Sequence, residues 1–398
     1  MLFSIALIIL FGLLIGSLMK RIHLPAIIGY LLVGFLLGPY CLNWLDSSLL
    51  QISAEIRRIA LVMILMKAGL SLDIADLRRI GRPAILLCFI PATCEILAFL
   101  LFAPRLLGMP MLEAGLLGAV MAAVSPAVVV PRMTRMMDEG WGVKKGIPQM
   151  IVAGASADDV YVIVIFSALL SLASGGSVST WDFLQIPIAI LSGVLVGIII
   201  GLLAAYLLKA IKVSRINEFI ILIAVAFLLL ALEEALKHLF SMSGLLAIMS
   251  MCITLRFRDM PRAAAQARLC GNAWIGAEIF LFALVGAIVD VRYIGQAGFA
   301  MDVMLCIGLC FRLAGTWLSV SGKGLTLREK LFCAFSETPK ATVQAAIGGV
   351  PLAAGLACGN TILAFSVLAI LVTAPVGATL IDATYQRWLE KDKDAISK

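Results

Sequence analysis

Thirteen apolar runs follow one another along this chain, at 2–19, 24–42, 56–73, 84–103, 112–131, 147–172, 183–208, 216–236, 243–256, 274–290, 297–321, 331–351 and 358–381. A helix needs about 20 such residues to cross the hydrocarbon core of a bilayer. Inside that core no water satisfies the backbone, so only helices or closed barrels can cross it. Runs of this length select helices. A chain of 398 residues that is 62% hydrophobic and 14% charged therefore reads as an all-α polytopic membrane protein.

The basic residues give the runs a direction. Lys20 and Arg21, then Arg78, Arg79 and Arg82, then Arg132, Arg135, Lys144 and Lys145 occupy alternate connections. Lys209, Lys212 and Arg215 continue the series, followed by Arg256, Arg258, Arg262 and Arg268, then Lys323, Arg328 and Lys330. With Arg387, Lys391, Lys393 and Lys398, one side holds 23 of the 31 basic residues; Arg57, Arg58, Arg105, Lys237 and Arg292 fall on the other. Positive charge marks the cytoplasm, which puts the N-terminus outside and the C-terminus inside. The same placement accounts for the net charge of +7 without nucleic acid. The first run has no basic residue before it and Lys20-Arg21 after it, the reverse of a signal peptide, so it is expected to be retained.

Nine cysteines are scattered through the chain with no CxxC pair, and Cys88, Cys94, Cys252, Cys306, Cys310, Cys333 and Cys358 lie within runs. They read as small apolar packing residues. His23 and His238, near run ends, read as interfacial histidines.

What remains is ionisable and inside the membrane. Lys67, Arg312 and Lys340 are basic; Glu95, Asp158, Asp159 and Glu337 are acidic, with Asp73 and Asp290 closer to run ends. A carboxylate at the bilayer centre costs roughly 2.5–3.5 kcal/mol, so two in succession need a task. At about 1.5 Å rise per residue, Asp158 and Glu95 each lie roughly 17 Å along their helices and Arg312 roughly 14 Å from its end. Opposite charges thus meet at one level. Adjacent helix positions point about 100° apart, so one aspartate can pair with a neighbour while the other faces a cavity. The task such a pair suits is holding a cation or a proton, one in place of the other.

Two runs are broken by proline in the same manner, at Ser125-Pro126-Ala127-Val128-Val129-Val130-Pro131 and at Thr338-Pro339-Lys340-Ala341-Thr342-Val343. Proline frees carbonyls, which lipid tolerates only beside protein or a cavity. Paired breaks in two halves mark an inverted-repeat transporter with its site at the crossing. Gly69-Leu70-Ser71-Leu72-Asp73 is echoed by Gly286-Ala287-Ile288-Val289-Asp290. The expected organisation is one integral membrane domain: a repeat over about 1–173, a linker helix over about 183–211, a second repeat over about 216–382 and a tail at 383–398. Half-helix ends carry about half a unit charge. Lys340 is expected to offset the carbonyl ends, with Glu337 one turn earlier modulating it.

At these residues the chain resembles the monovalent cation/proton antiporter superfamily, and within it the NHA-type sodium/proton exchangers, as a bacterial member. The likeness runs through Leu24 to Gly34, Lys67 to Asp73, Ser125 to Pro131, Gly142 to Pro148, Asp158-Asp159 and Pro339 to Gln344. It implies about thirteen transmembrane helices in two inverted repeats with crossed broken helices, and a homodimer in the bacterial inner membrane. It makes Asp159 the principal cation and proton ligand, with Asp158 supporting it or pairing with a basic residue. The crossing would comprise Ser125, Pro126, Pro339, Lys340 and Thr342. Many relatives put lysine where this chain has Arg312; the NHA subgroup shares the arginine and pairs it with a glutamate, here Glu95. Arginine stays charged, so a stoichiometry taken from lysine-type relatives does not transfer. No aspartate or threonine adjoins Ser125, which leaves backbone carbonyls and water to complete the ligand shell.

The expected activity is exchange of Na⁺ or Li⁺ for H⁺ by competition at Asp159 with alternating access. No cofactor or nucleic acid is implied; lipids, monovalent cations and protons are the partners. The alternatives are potassium/proton exchange, or a channel or ion-coupled solute symporter on a similar fold. An intramembrane aspartyl protease would need its two aspartates on two helices facing one water, which neighbours on one helix cannot provide.

Overall fold

The computed structural model describes residues 1–22, 24–71, 81–174, 180–210, 213–236, 242–288 and 291–392. His23, His238, Asp73 and Asp290 lie outside them. The described residues are helical almost throughout: α1 (Leu2–Arg21), α2 (Ala26–Leu37), α3 (Ser47–Gln51), α4 (Ser53–Ser71), α5 (Arg82–Leu87), α6 (Ile90–Leu106), α7 (Met111–Met121), α8 (Pro126–Asp138) and α9 (Ile147–Ser174). Then follow α10 (Thr180–Ala210), α11 (Arg215–Leu236), α12 (Gly244–Arg258), α13 (Met260–Ile288), α14 (Val291–Val320), α15 (Leu327–Ser336), α16 (Thr342–Ile347), α17 (Val350–Ala353) and α18 (Gly359–Trp388). Among the described residues, eight helical segments are long and apolar enough to cross a membrane.

Among the described residues, each apolar run falls largely on helices, with differences in detail. The run at 84–103 is two helices, because Pro91 in the first turn of α6 lacks an amide and crowds the preceding carbonyls. Cys88 Sγ turns back to Ala84 O at 3.1 Å there. The run at 274–290 is the end of α13, which begins at Met260, so Arg262 and Arg268 stand on the helix and not in a connection. Of the cysteines within runs, Cys306 and Cys310 are exposed and Cys94 is half-buried, whereas Cys88, Cys252, Cys333 and Cys358 are buried; all are free thiols.

The chain divides into two compact units. The first comprises Met1–Ala54, Asp73–Val162 and Phe282–Lys398. Here α6 packs along α14 and α7, and α18 packs on α15 and α16. Residues 139–146 connect α8 to α9 through Gly142, whose φ of 68° suits glycine. The Gly142 amide donates to Glu390 O at 2.8 Å, and the Asp392 amide to Gly140 O at 2.8 Å, fastening residues 390–392 to this connection. Arg132 and Arg135 of α8 both pair with Asp382 of α18.

The second unit comprises Glu55–Leu72 and Ile163–Leu281. Its main contact is α10 on α12, and the sequence explains it: Gly193, Gly197 and Gly201 recur every fourth residue, on one helix face. A Cβ at Gly193 would lie 2.6 Å from Ser243 O, one at Gly201 2.7 Å from Met251 O, and one at Gly197 would collide with Ala247 O. Small residues every fourth position let two backbones touch, which is how helices associate where no hydrophobic effect drives them.

Candidate functional site

The site grows from two interrupted helices of the first unit. Pro126 begins α8 and cannot donate, and the residue before a proline avoids the helical region; Ser125 sits at φ −91°, ψ 107°. The chain therefore leaves α7 at Met121 and restarts at Pro126. In the second interruption it leaves α15 at Ser336 and restarts at Thr342, with Pro339 between. The two breaks bond to each other: the Ser125 amide donates to Pro339 O at 2.8 Å. Ser125 Oγ and Thr342 Oγ1 lie 3.5 Å apart.

Breaking a helix leaves its last carbonyls without partners. Arg312, from the middle of α14 and fully buried, takes up part of this load. Its Nη1 donates to Ala122 O beyond α7, and its Nε donates to Glu337 O beyond α15 at 2.6 Å. One guanidinium thus ties the carbonyl ends of both broken helices. The same group faces three carboxylates. Nη2 donates to Asp158 Oδ2 and to Glu337 Oε2, each at 2.8 Å, and Nη1 donates to Glu95 Oε2 at 3.2 Å. Only the planar five-donor fork of arginine can serve so many acceptors.

Lys340 is fully buried, and its Nζ donates to Glu95 Oε2 at 2.6 Å. Its backbone amide donates to Thr373 Oγ1 of α18 at 2.8 Å. Lys340 therefore serves Glu95, and the carbonyl ends fall to Arg312, which also takes the Glu337 carboxylate. The reason is reach: a guanidinium spans carbonyl and carboxylate together, whereas the ammonium is a point charge.

The two aspartates have different surroundings. Asp158 Oδ2 accepts from Arg312 and also from the Val124 amide at 2.9 Å, in the break just before α8, where the backbone amide has no helical partner. Asp159 is 4% exposed, and its Oδ1 meets no donor among the described residues. Asp158 is anchored through Oδ2 by an arginine and a backbone amide, its Oδ1 being bare like that of Asp159; Asp159 has no such anchor among the described residues.

Glu95, Asp158, Arg312, Ser125, Pro339, Lys340 and Thr342 are thus brought together, and Asp159 follows Asp158 on α9. Three further contributors have roles that the sequence reading did not give. Glu337 stands out as charged, yet its role as a partner of Arg312 needs the fold. Gln344, whose Nε2 donates to Val120 O and Ala123 O at 3.0 Å each, is signalled only by being a carboxamide among apolar neighbours. Thr373 has no signal at all.

Residues 5–386 match the family described as sodium/hydrogen exchanger, transmembrane. The chain is 32% identical over 384 residues to sodium/hydrogen exchanger 9B2 of Mus musculus, covering 93% of this chain and 69% of that protein. It is 30% identical over 385 residues to sodium/hydrogen exchanger 9B1 of Homo sapiens, covering 93% and 74%. The fold is like that of the sodium proton antiporter MjNhaP1 from Methanocaldococcus jannaschii at pH 8, with a TM-score of 0.83 at 20% identity over 96% of this chain and 97% of that one. The protein is therefore a multi-pass membrane protein and a secondary transporter rather than an enzyme, and it belongs to the sodium/hydrogen exchanger family.

Proposed function

We propose that this protein exchanges sodium or lithium ions for protons by competition at Asp159. The observation that carries the proposal is the division of labour between neighbours. Asp158 is held through Oδ2 by Arg312 and the Val124 amide, whereas Asp159 has no such anchor among the described residues; Oδ1 of each is buried and unpartnered there. A buried carboxylate oxygen without a donor is costly, and either a proton or a hard cation relieves the cost. Only one can do so at a time, and exclusive occupancy is what couples the two fluxes.

The formal charges favour a cationic cargo. Arg312 and Lys340 supply two positive charges against the four carboxylates of Glu95, Asp158, Asp159 and Glu337, all buried. The surplus of negative charge calls for positive charge from solution.

In this reading thirteen helices form two inverted repeats, over about 1–173 and 216–382, joined by a linker helix at about 183–211. The N-terminus is outside and the tail inside, in the inner membrane of a bacterial cell, as a homodimer. Pairings at equal spacing support the repeats: Glu95 with Arg312 and Ser125 with Thr342 are both 217 residues apart. Alternating access would follow from one part rocking against another around the crossing.

The test is proton flux in proteoliposomes with an internal pH dye on addition of Na⁺, Li⁺ or K⁺. Wild-type protein should respond to Na⁺ and Li⁺, and Asp159→Asn should not. Robust exchange by the mutant would sink the competition at Asp159; a response to K⁺ alone would replace the cation.

A further inference from the structure

Gln344, the third residue of α16, is fully buried between Val343 and Ala345. Its Nε2 donates to Val120 O and Ala123 O at 3.0 Å, with Met121 O at 3.4 Å. Three carbonyls on one side of a carboxamide fix which end is nitrogen, because a carbonyl can only accept. The amide is locked by the carbonyl end of α7, and its oxygen must point the other way. That oxygen, Oε1, is buried and meets no donor among the described residues.

The place of this oxygen gives it a use. Gln344 grips Ala123, and Asp158 grips the amide of Val124, so the two side chains hold consecutive residues of one break. Ser125 follows, beside Thr342, two residues before Gln344. Among the described residues, oxygens without donors in this region belong to Asp158 (Oδ1), Asp159 (Oδ1) and Gln344 (Oε1), and to Glu95 (Oε1) and Glu337 (Oε1) around Arg312. A hard cation stripped of water needs several oxygens, neutral and charged together, whereas a proton needs one.

We propose that Gln344 Oε1 is a neutral oxygen ligand of the transported cation, aimed by the carbonyl end of α7. The proposal rests on the reading of Asp159 as the exchange site. It assigns the two residues different parts in the competition: both ions use Asp159, and only the cation uses Gln344. Gln344 therefore sets the cation concentration at which a proton is displaced.

The experiment measures the rise in melting temperature of detergent-solubilised full-length protein in NaCl over choline chloride, beside Na⁺-dependent proton flux. Gln344→Met removes both the oxygen and the donor; Gln344→Glu removes the donor but keeps an oxygen in place. Sodium should stabilise the wild type and Gln344→Glu, and should lose its effect on Gln344→Met. The KM for Na⁺ in Gln344→Met should rise on the order of tenfold, the scale on which groups supporting a metal site act, with kcat retained. Stabilisation of Gln344→Met equal to wild type would overturn the proposal. So would equal loss in both variants, since the amide's cap on α7 would then be its whole role. Should Gln344→Met fail to fold, Gln344→Asn draws the oxygen back by one methylene, and an unchanged KM in it would also overturn the assignment. Asp159→Asn, run alongside, separates the two readings: sodium stabilisation surviving in it removes Asp159 as the site, whatever Gln344 does.

Discussion

Two regions of this molecule solve the problem of joining helices in a membrane by opposite means. Where α10 meets α12, Gly193, Gly197 and Gly201 remove the side chain, and backbone lies on backbone. Where the broken helices meet, Arg312 is among the largest fully buried side chains, and it holds three carboxylates and two carbonyls. The first joint has almost nothing in it that can change state. The second is made of charges, each of which matters only while its partners keep theirs. In the exchange proposed above, the joint that stays fixed is built from shape, and the site that would take and release an ion is built from charge.

The sharpest break in that contrast is Asp159→Asn, which removes a buried site carboxylate whose Oδ1 meets no donor among the described residues and which, unlike Asp158, is not anchored there by Arg312 and a backbone amide. It is expected to abolish cation-driven proton flux and leave the melting temperature near wild type, because no donor to its Oδ1 among the described residues is orphaned. A mutant that unfolds would place Asp159 with the structural charges. Arg312→Met should do the reverse. It leaves Glu95, Asp158 and Glu337 facing one another with two carbonyls uncapped, and breaking one buried pair alone costs about 3–5 kcal/mol. Loss of folded protein on size-exclusion chromatography is the expected result, with Arg312→Lys intermediate, since one ammonium cannot fork to five acceptors. A monodisperse Arg312→Met protein with wild-type stability would show that the network is not what holds the crossing.

The glycine joint is tested by Gly197→Leu. A side chain there collides with Ala247 O, and overpacking of this kind costs about 1–3 kcal/mol. The expected outcome is a lower melting temperature whose response to added Na⁺ is unchanged. An unaltered melting temperature would mean that α10 and α12 separate freely, and the contrast drawn above would fail.

The helices and the charges were legible in the sequence because both follow from the cost of polar groups in hydrocarbon. Apolar runs mark where the chain crosses, and an isolated Arg312 or Glu95 within a run declares a partner. Equal depth along helices put Glu95, Asp158 and Arg312 at one level, and the family resemblance paired Glu95 with Arg312, now 3.2 Å apart. What depth could not settle was which partners Lys340 and Glu337 take. A helical rise gives the level of a residue, not the neighbour its face turns to, so Lys340 to Glu95 and Glu337 to Arg312 needed coordinates. The break at Cys88–Phe89 was hidden because Pro91 stands inside a long apolar run, where composition alone reads straight through it. Thr373, an ordinary residue in α18, shows its role only through the Lys340 amide it receives.

The mildest test takes a charge pair outside the buried site, where water shares the load. Lys145 Nζ, before α9, donates to Glu329 Oε1 and Oε2 at 2.8 and 2.9 Å. Glu329 is also the third residue of a capping box, accepting from the Thr326 amide at 2.7 Å. Burial acts to raise the Glu329 carboxyl, but the donors from Lys145 and Thr326 outweigh it and hold it below its ordinary 4.5. The hydrogen bond to Glu329 lifts the Lys145 ammonium above its ordinary 10.5, against a smaller opposing effect of burial. A lowered carboxyl contributes stability that is complete above its unfolded value and is lost as pH falls through the folded one; a raised ammonium contributes below its unfolded value and loses it as pH rises. The pair should therefore act fully between about pH 4.5 and 10.5 and fade beyond both edges. Because Lys145 is 29% exposed, the contribution is discounted to about 0.5–1 kcal/mol, comparable with one helix cap. Melting curves of Glu329→Gln and wild type should differ by that small amount at neutral pH and converge in acid. A gap that persists in acid would mean Glu329 acts by packing and not by charge, and would move this pair to the side of the glycine joint.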